Sequence, residues 1–84
     1  MFHAGLQDTP EVRKKLREDD IRGHLIAEIM ASNSTLERIM ESQIPLTFAK
    51  NPPTREEFQE HLDYLIKEGS VIQNQEGEYS IPPN

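Results

Sequence analysis

With 84 residues and no cysteine, the chain has room for one small domain burying about 60–65% of its unfolded surface, and it holds neither a disulfide nor a thiolate-metal framework. Nine Lys/Arg against fifteen Asp/Glu give a net charge of −6, which opposes a phosphate backbone unless a basic patch is assembled locally. No apolar run approaches the roughly 20 residues of a membrane span and no signal peptide is recognisable, so the expectation is an ordered intracellular protein, cytoplasmic or nuclear, with no membrane partner.

Residues 1–8 lack periodicity and read as a frayed terminus, offering only Phe2 and Leu6 to a core. Thr9-Pro10-Glu11 then starts a helix: a hydroxyl cap, a proline whose missing N–H costs nothing there, and a carboxylate at the positive end of the dipole. Its basic run Arg13, Lys14, Lys15 and Arg17 is bracketed by Glu11, Glu18, Asp19 and Asp20, which predicts a solvated face with weak internal ion pairs. Asp19 or Asp20 is placed to cap a second helix, in which Ile21, Leu25 and Ile29 repeat every four residues and Ile26 and Met30 widen the apolar stripe. The pattern leaves open whether these two helices are continuous. Gly23 weakens the second by up to about 1 kcal/mol relative to alanine, and predicts a close helix crossing at that point.

Ser32-Asn33 ends the run, and Ser34-Thr35-Leu36-Glu37 has the spacing of a capping box opening a shorter helix with Leu36, Ile39 and Met40 inward. Two helices joined by a tight polar turn suggest a helix-turn-helix. Ile44-Pro45-Leu46-Thr47-Phe48 reads as extended, with Leu46 and Phe48 alternating so as to tuck beneath a C-terminal hairpin, as loop anchors or as a short strand.

Residues 54–81 are the most informative stretch. Thr54 with Glu57 three residues on forms a second capping box, preceded by Pro52-Pro53, which keeps the chain non-helical up to the cap. Phe58, Leu62, Leu65 and Ile66 make one apolar stripe and leave Arg55, Glu56, Gln59, Glu60, Asp63 and Lys67 outside it. Gly69 stands where a left-handed residue ends a helix, and β-branched Val71-Ile72 follows. The turn Asn74-Gln75-Glu76-Gly77 then joins two short runs, 70–73 and 78–81, in a hairpin with Tyr79 and Ile81 on one face. The resulting fold class is α+β: a winged helix over residues 20–84, with residues 1–19 as an N-terminal extension and extra helix. The expected core is Ile21, Leu25, Ile29, Leu36, Ile39, Phe58, Leu62, Leu65, Ile66, Val71 and Tyr79.

In order, IAEIMASNSTL, LTFAKNPPTREEFQEHLDYLIKEGSVIQNQ and EGEYSI resemble the C-terminal winged-helix domain of cullins, the scaffolds of multi-subunit ubiquitin ligases, over about residues 20–81. The likeness rests on Ile29-Met30, Thr35-Leu36, Phe48 before a proline, Leu65-Ile66-Lys67-Glu68 and Tyr79. It implies a winged helix within a larger ligase scaffold. In cullins a lysine after the Ile-Met pair accepts a ubiquitin-like modifier; here that position is Ala31, and no lysine lies between Lys15 and Lys50, so the modification is not expected.

Catalytic chemistry is not legible. The three histidines, His3, His24 and His61, stand on different segments without zinc-ligand spacing and read as surface or boundary residues. Glu56, Glu57, Glu60 and Asp63 read as a solvated helix face rather than an acid/base pair, and the four glycines are too scattered to form a phosphate loop. No enzyme, cofactor or metal is expected. Residues 54–68 carry two basic and five acidic side chains, so the first functional expectation is a protein-interaction module contacting a basic partner through Glu56, Gln59, Glu60, Asp63 and Lys67. The alternative is a DNA-binding regulator of transcription or replication, with Thr54, Arg55, Gln59 and His61 in the major groove and Arg13, Lys14, Lys15, Arg17 and Lys50 on phosphates.

Overall fold

The computed structural model describes residues 9–83; the terminal segment 1–8, with Phe2, His3 and Leu6, lies outside the described residues. Helix α1, Pro10–Ala31, begins where Thr9 Oγ1 accepts the Val12 N–H at 3.2 Å. It then runs unbroken through Asp19 and Asp20, so neither caps a second helix. A cap must leave helical φ/ψ, and nothing here forces that departure; both carboxylates instead stand in solvent, Asp19 3.7 Å from Lys15 one turn back. Ile21, Leu25 and Ile29 are buried, whereas Met30 is 69% exposed and does not widen the stripe. Nor does any described helix cross at Gly23, where an added Cβ would meet no atom of another described element within 4 Å.

Helix α2, Leu36–Glu41, is capped by Thr35, whose hydroxyl accepts the Arg38 N–H. Ser34 serves the C-terminal hairpin instead of the helix: buried at 2% exposure, it exchanges both backbone hydrogen bonds with Tyr79, N–H to O at 3.3 Å and O from N–H at 2.7 Å. The segment expected to be extended is a one-turn helix, α3, Ile44–Thr47. Proline is well suited to a first helical turn, and Ser42 organises the start by donating to the Ile39 carbonyl and accepting the Ile44 N–H at 3.1 Å. Ile44 is thereby buried, while Leu46, at 73% exposure, tucks under nothing. Phe48 packs half-buried toward α1, edge-on to His24 with ring centres 5.6 Å apart.

Helix α4, Arg55–Lys67, starts at Thr54, which accepts the Glu57 N–H at 3.1 Å. It ends in a Schellman motif: Ser70 N–H reaches the Leu65 carbonyl and Gly69 N–H that of Ile66. Gly69 has φ +81°, and a Cβ there would meet no atom within 4 Å, so the cost of a side chain is purely conformational. Gly69→Ala is expected to lower stability by about 1–2 kcal/mol with the denaturant m-value unchanged.

Strands β1, Ile72–Gln73, and β2, Tyr79–Ser80, pair antiparallel with Gln73 opposite Tyr79. Their turn is closed by Gly77 N–H to the Asn74 carbonyl, with Gly77 at φ +86° and Asn74 Oδ1 accepting the N–H groups of Glu76 and Glu78. Tyr79 turns its own N–H and C=O away from β1, to Ser34, so the third pairing partner of the hairpin is Ser34 and not the 44–48 segment.

The core joins α1, α2, α3, α4 and the hairpin through Ile21, Leu25, Ile29, Leu36, Ile39, Ile44, Phe58, Leu62, Leu65, Val71 and Tyr79. Ile66 is only half-buried at the margin of the stripe. Ile81 is 37% exposed although Tyr79, two residues earlier, is 1% exposed, because the chain leaves the sheet at Ser80.

A candidate protein-interaction face on helix α4

Successive residues of a helix turn by 100°, so Glu56, Glu60, Asp63 and Lys67 lie opposite the stripe of Phe58, Leu62 and Leu65, and all four are exposed. Gln59 is half-buried at the edge of this face: its Nε2 donates to Asp63 Oδ1 at 2.9 Å and to Tyr79 Oη at 3.4 Å, tying the face to the hairpin. Three carboxylates and one ammonium thus form an open acidic surface on a rigid element.

The flanks of α4 use their charges internally. Toward α1, Arg17 Nε and Nη2 donate to the two oxygens of Glu57 at 2.9 and 3.0 Å, with only about a quarter of each side chain exposed. This fork, with lesser help from the Thr54 backbone N–H, holds the Glu57 carboxyl below the usual carboxylate range and raises the Arg17 guanidinium. A depressed carboxyl contributes stability that is present above its unfolded value of about 4.3 and is lost as pH falls through the folded one. Toward α2, Arg55 Nη2 donates to Glu37 Oε2 in an exposed pair, lowering Glu37 and raising Arg55.

The basic residues expected on nucleic acid do not converge. Arg17 is taken by Glu57 and also lies 5.6 Å over the Phe48 ring; Lys15 faces Asp19; Arg55 sits on the opposite flank of α4 against Glu37. Arg13 and Lys14 are exposed on α1. Lys50 joins Arg17 only at a shallow open depression of about 400 Å³ with Thr47, Phe48, Ala49 and Asn51.

His61, read from sequence as a surface or boundary residue and a candidate for the major groove, is 6% exposed and faces α1. Its Nδ1 accepts Arg22 Nε–H at 3.3 Å, and the Arg22 guanidinium lies 3.8 Å over the Tyr64 ring. Tyr64 Oη donates to Glu68 Oε2 at 2.7 Å, which raises the phenol's pKa. The signal for burial was present: His61 falls at i+3 from Phe58 and four before Leu65, on the margin of the stripe. Its partner Arg22, 39 residues away, had no local signal.

Among the described residues no group of three His, Asp or Glu side chains is placed to hold a metal ion, and no helix is long and apolar enough to cross a membrane. The chain matches no family model, no curated protein and no solved structure.

Proposed function

We propose that the chain is a non-enzymatic winged-helix module that binds a protein with a basic surface through the outer face of α4. The observation that carries this reading is the division of charge on that helix: Glu56, Glu60 and Asp63 stand open to solvent, while the arginines that would offset them, Arg17 and Arg55, are bound on the flanks by Glu57 and Glu37. A phosphate backbone is repelled by such a surface, and a cationic one is attracted.

The order of elements supports the winged-helix reading: a long helix, a bridging residue at Ser34, a second helix, the one-turn α3, then α4 followed at once by a hairpin. Helix α4 occupies the place of a recognition helix, with an acidic face where a DNA reader carries a basic or neutral one. The cullin-like sequence pattern supports a place in a multi-subunit ligase scaffold, and exposed Ala31 at the end of α1 offers no amine to a modifier.

Reversing Glu60→Lys together with Asp63→Lys is expected to change stability by less than about 0.5 kcal/mol, since both side chains are exposed. Capture of partners from cell extract by wild type and double mutant, followed by affinity measurement at two ionic strengths, tests the reading. Weaker binding by the mutant, with the difference larger at low salt, is expected. Equal affinity would move the binding surface elsewhere, and tight binding to mixed-sequence duplex DNA with a steep salt slope would replace the reading by nucleic-acid recognition.

A further inference from the structure

Among the described histidines only His61 is buried, and it stands at the seam between α1 and α4. A ring nitrogen that accepts a hydrogen bond carries no proton, and the guanidinium of Arg22 keeps its own, so the contact from Arg22 Nε–H to His61 Nδ1 exists only while the imidazole is neutral. Arg22 is held in place from its other side by the Tyr64 ring at 3.8 Å. Ile21, its neighbour in α1, is fully buried, so the contact closes the edge of the core.

We propose that Arg22 and His61 form a protonation-controlled latch between α1 and α4: the neutral imidazole receives the Arg22 N–H and keeps the helices closed, and its protonation in mildly acidic solution opens the seam. The charged groups around the ring are Arg22 and Glu18 from α1 and Glu57 and Glu60 from α4 itself. Protonation puts a second cation against Arg22 and removes its acceptor. Imidazolium and guanidinium then separate, Glu18, Glu57 and Glu60 being the carboxylates whose charge favours the imidazolium.

Burial first, then the Arg22 charge, hold the folded pKa of His61 below its ordinary value, against the pull of the three carboxylates. The unfolded chain therefore binds more protons, and the contribution is fully present above about pH 6.5 and is lost as pH falls below it. Glu57 titrates in a separate window, from about pH 4.3 downward.

The test is a ring-proton NMR titration of the intact chain from pH 8 to 5, with amide hydrogen exchange along α1 in wild type, His61→Gln and His24→Gln. His61 should protonate below the ordinary histidine range. After correction for intrinsic chemistry, amides around Ile21 should exchange faster at pH 5.5 than at 7.5 in wild type and in His24→Gln, by up to about tenfold, the ceiling one pH unit below an unfolded value of about 6.5, and not in His61→Gln. A His61 midpoint at or above the ordinary value overturns the latch, as does the same pH dependence in His61→Gln as in wild type. Should His61→Gln fail to fold, Arg22→Gln decides: loss of the cation must raise the His61 midpoint, and an unmoved midpoint overturns the proposal.

Discussion

Replacing Tyr79 by alanine is expected to destabilise the protein by about 3–5 kcal/mol, the range for truncating a large buried aromatic. Tyr79 is 1% exposed, its backbone makes both hydrogen bonds to Ser34, and its phenol receives the Gln59 amide at 3.4 Å. It is where hairpin, interhelical turn and α4 meet. Because a two-stranded hairpin is marginal on its own, it should lose its protection from hydrogen exchange before the helices lose theirs. Tyr79→Phe keeps the packing and gives up only the long phenol contact, and should cost no more than about 1 kcal/mol. A urea midpoint for Tyr79→Ala equal to that of wild type would mean that the hairpin docks without this side chain.

Leu62→Ala is expected to cost about 2–5 kcal/mol, against a total of about 5–15 kcal/mol for ordinary domains. Leu62 is 0% exposed between Phe58 and Leu65, so the lost methyl groups leave a cavity that rigid helix backbones cannot close. Calorimetric or urea unfolding measures the loss directly. No change in midpoint would place Leu62 off the core and rotate α4 away from the orientation that exposes Glu60 and Asp63.

The open face of α4 was legible because a helix converts residue spacing into direction: with Phe58, Leu62 and Leu65 inward, Glu56, Glu60, Asp63 and Lys67 can only point out. The roles of Gln59, Glu57 and Arg55 were not, since each is set by a partner on another element: Tyr79, Arg17 and Glu37. Met30 and Ile44 show the limits of the apolar pattern. Met30 continues a stripe whose partners end at Ile29, whereas Ile44 is carried inward by a helical turn begun at Ser42.

Short-range chemistry in the chain itself determined the caps at Thr9 and Thr54, the glycine stop at Gly69, the hairpin turn at Asn74 to Gly77, and ten of the eleven residues expected in the core, because these depend on neighbours within about one helical turn or on one face of one element. Only the structure decided that α1 is continuous, that Ser34 pairs with the hairpin, that residues 44–47 are helical, and that His61 lies buried against Arg22. The turn at 44–47 rests on local bonds to Ser42 that the alternating apolar pattern does not encode; the other outcomes turn on a contact between segments distant in sequence or on the absence of a break that propensity alone would allow. A backbone group or side chain takes whichever partner the packed core brings within hydrogen-bond reach, and residue spacing carries no record of that distance.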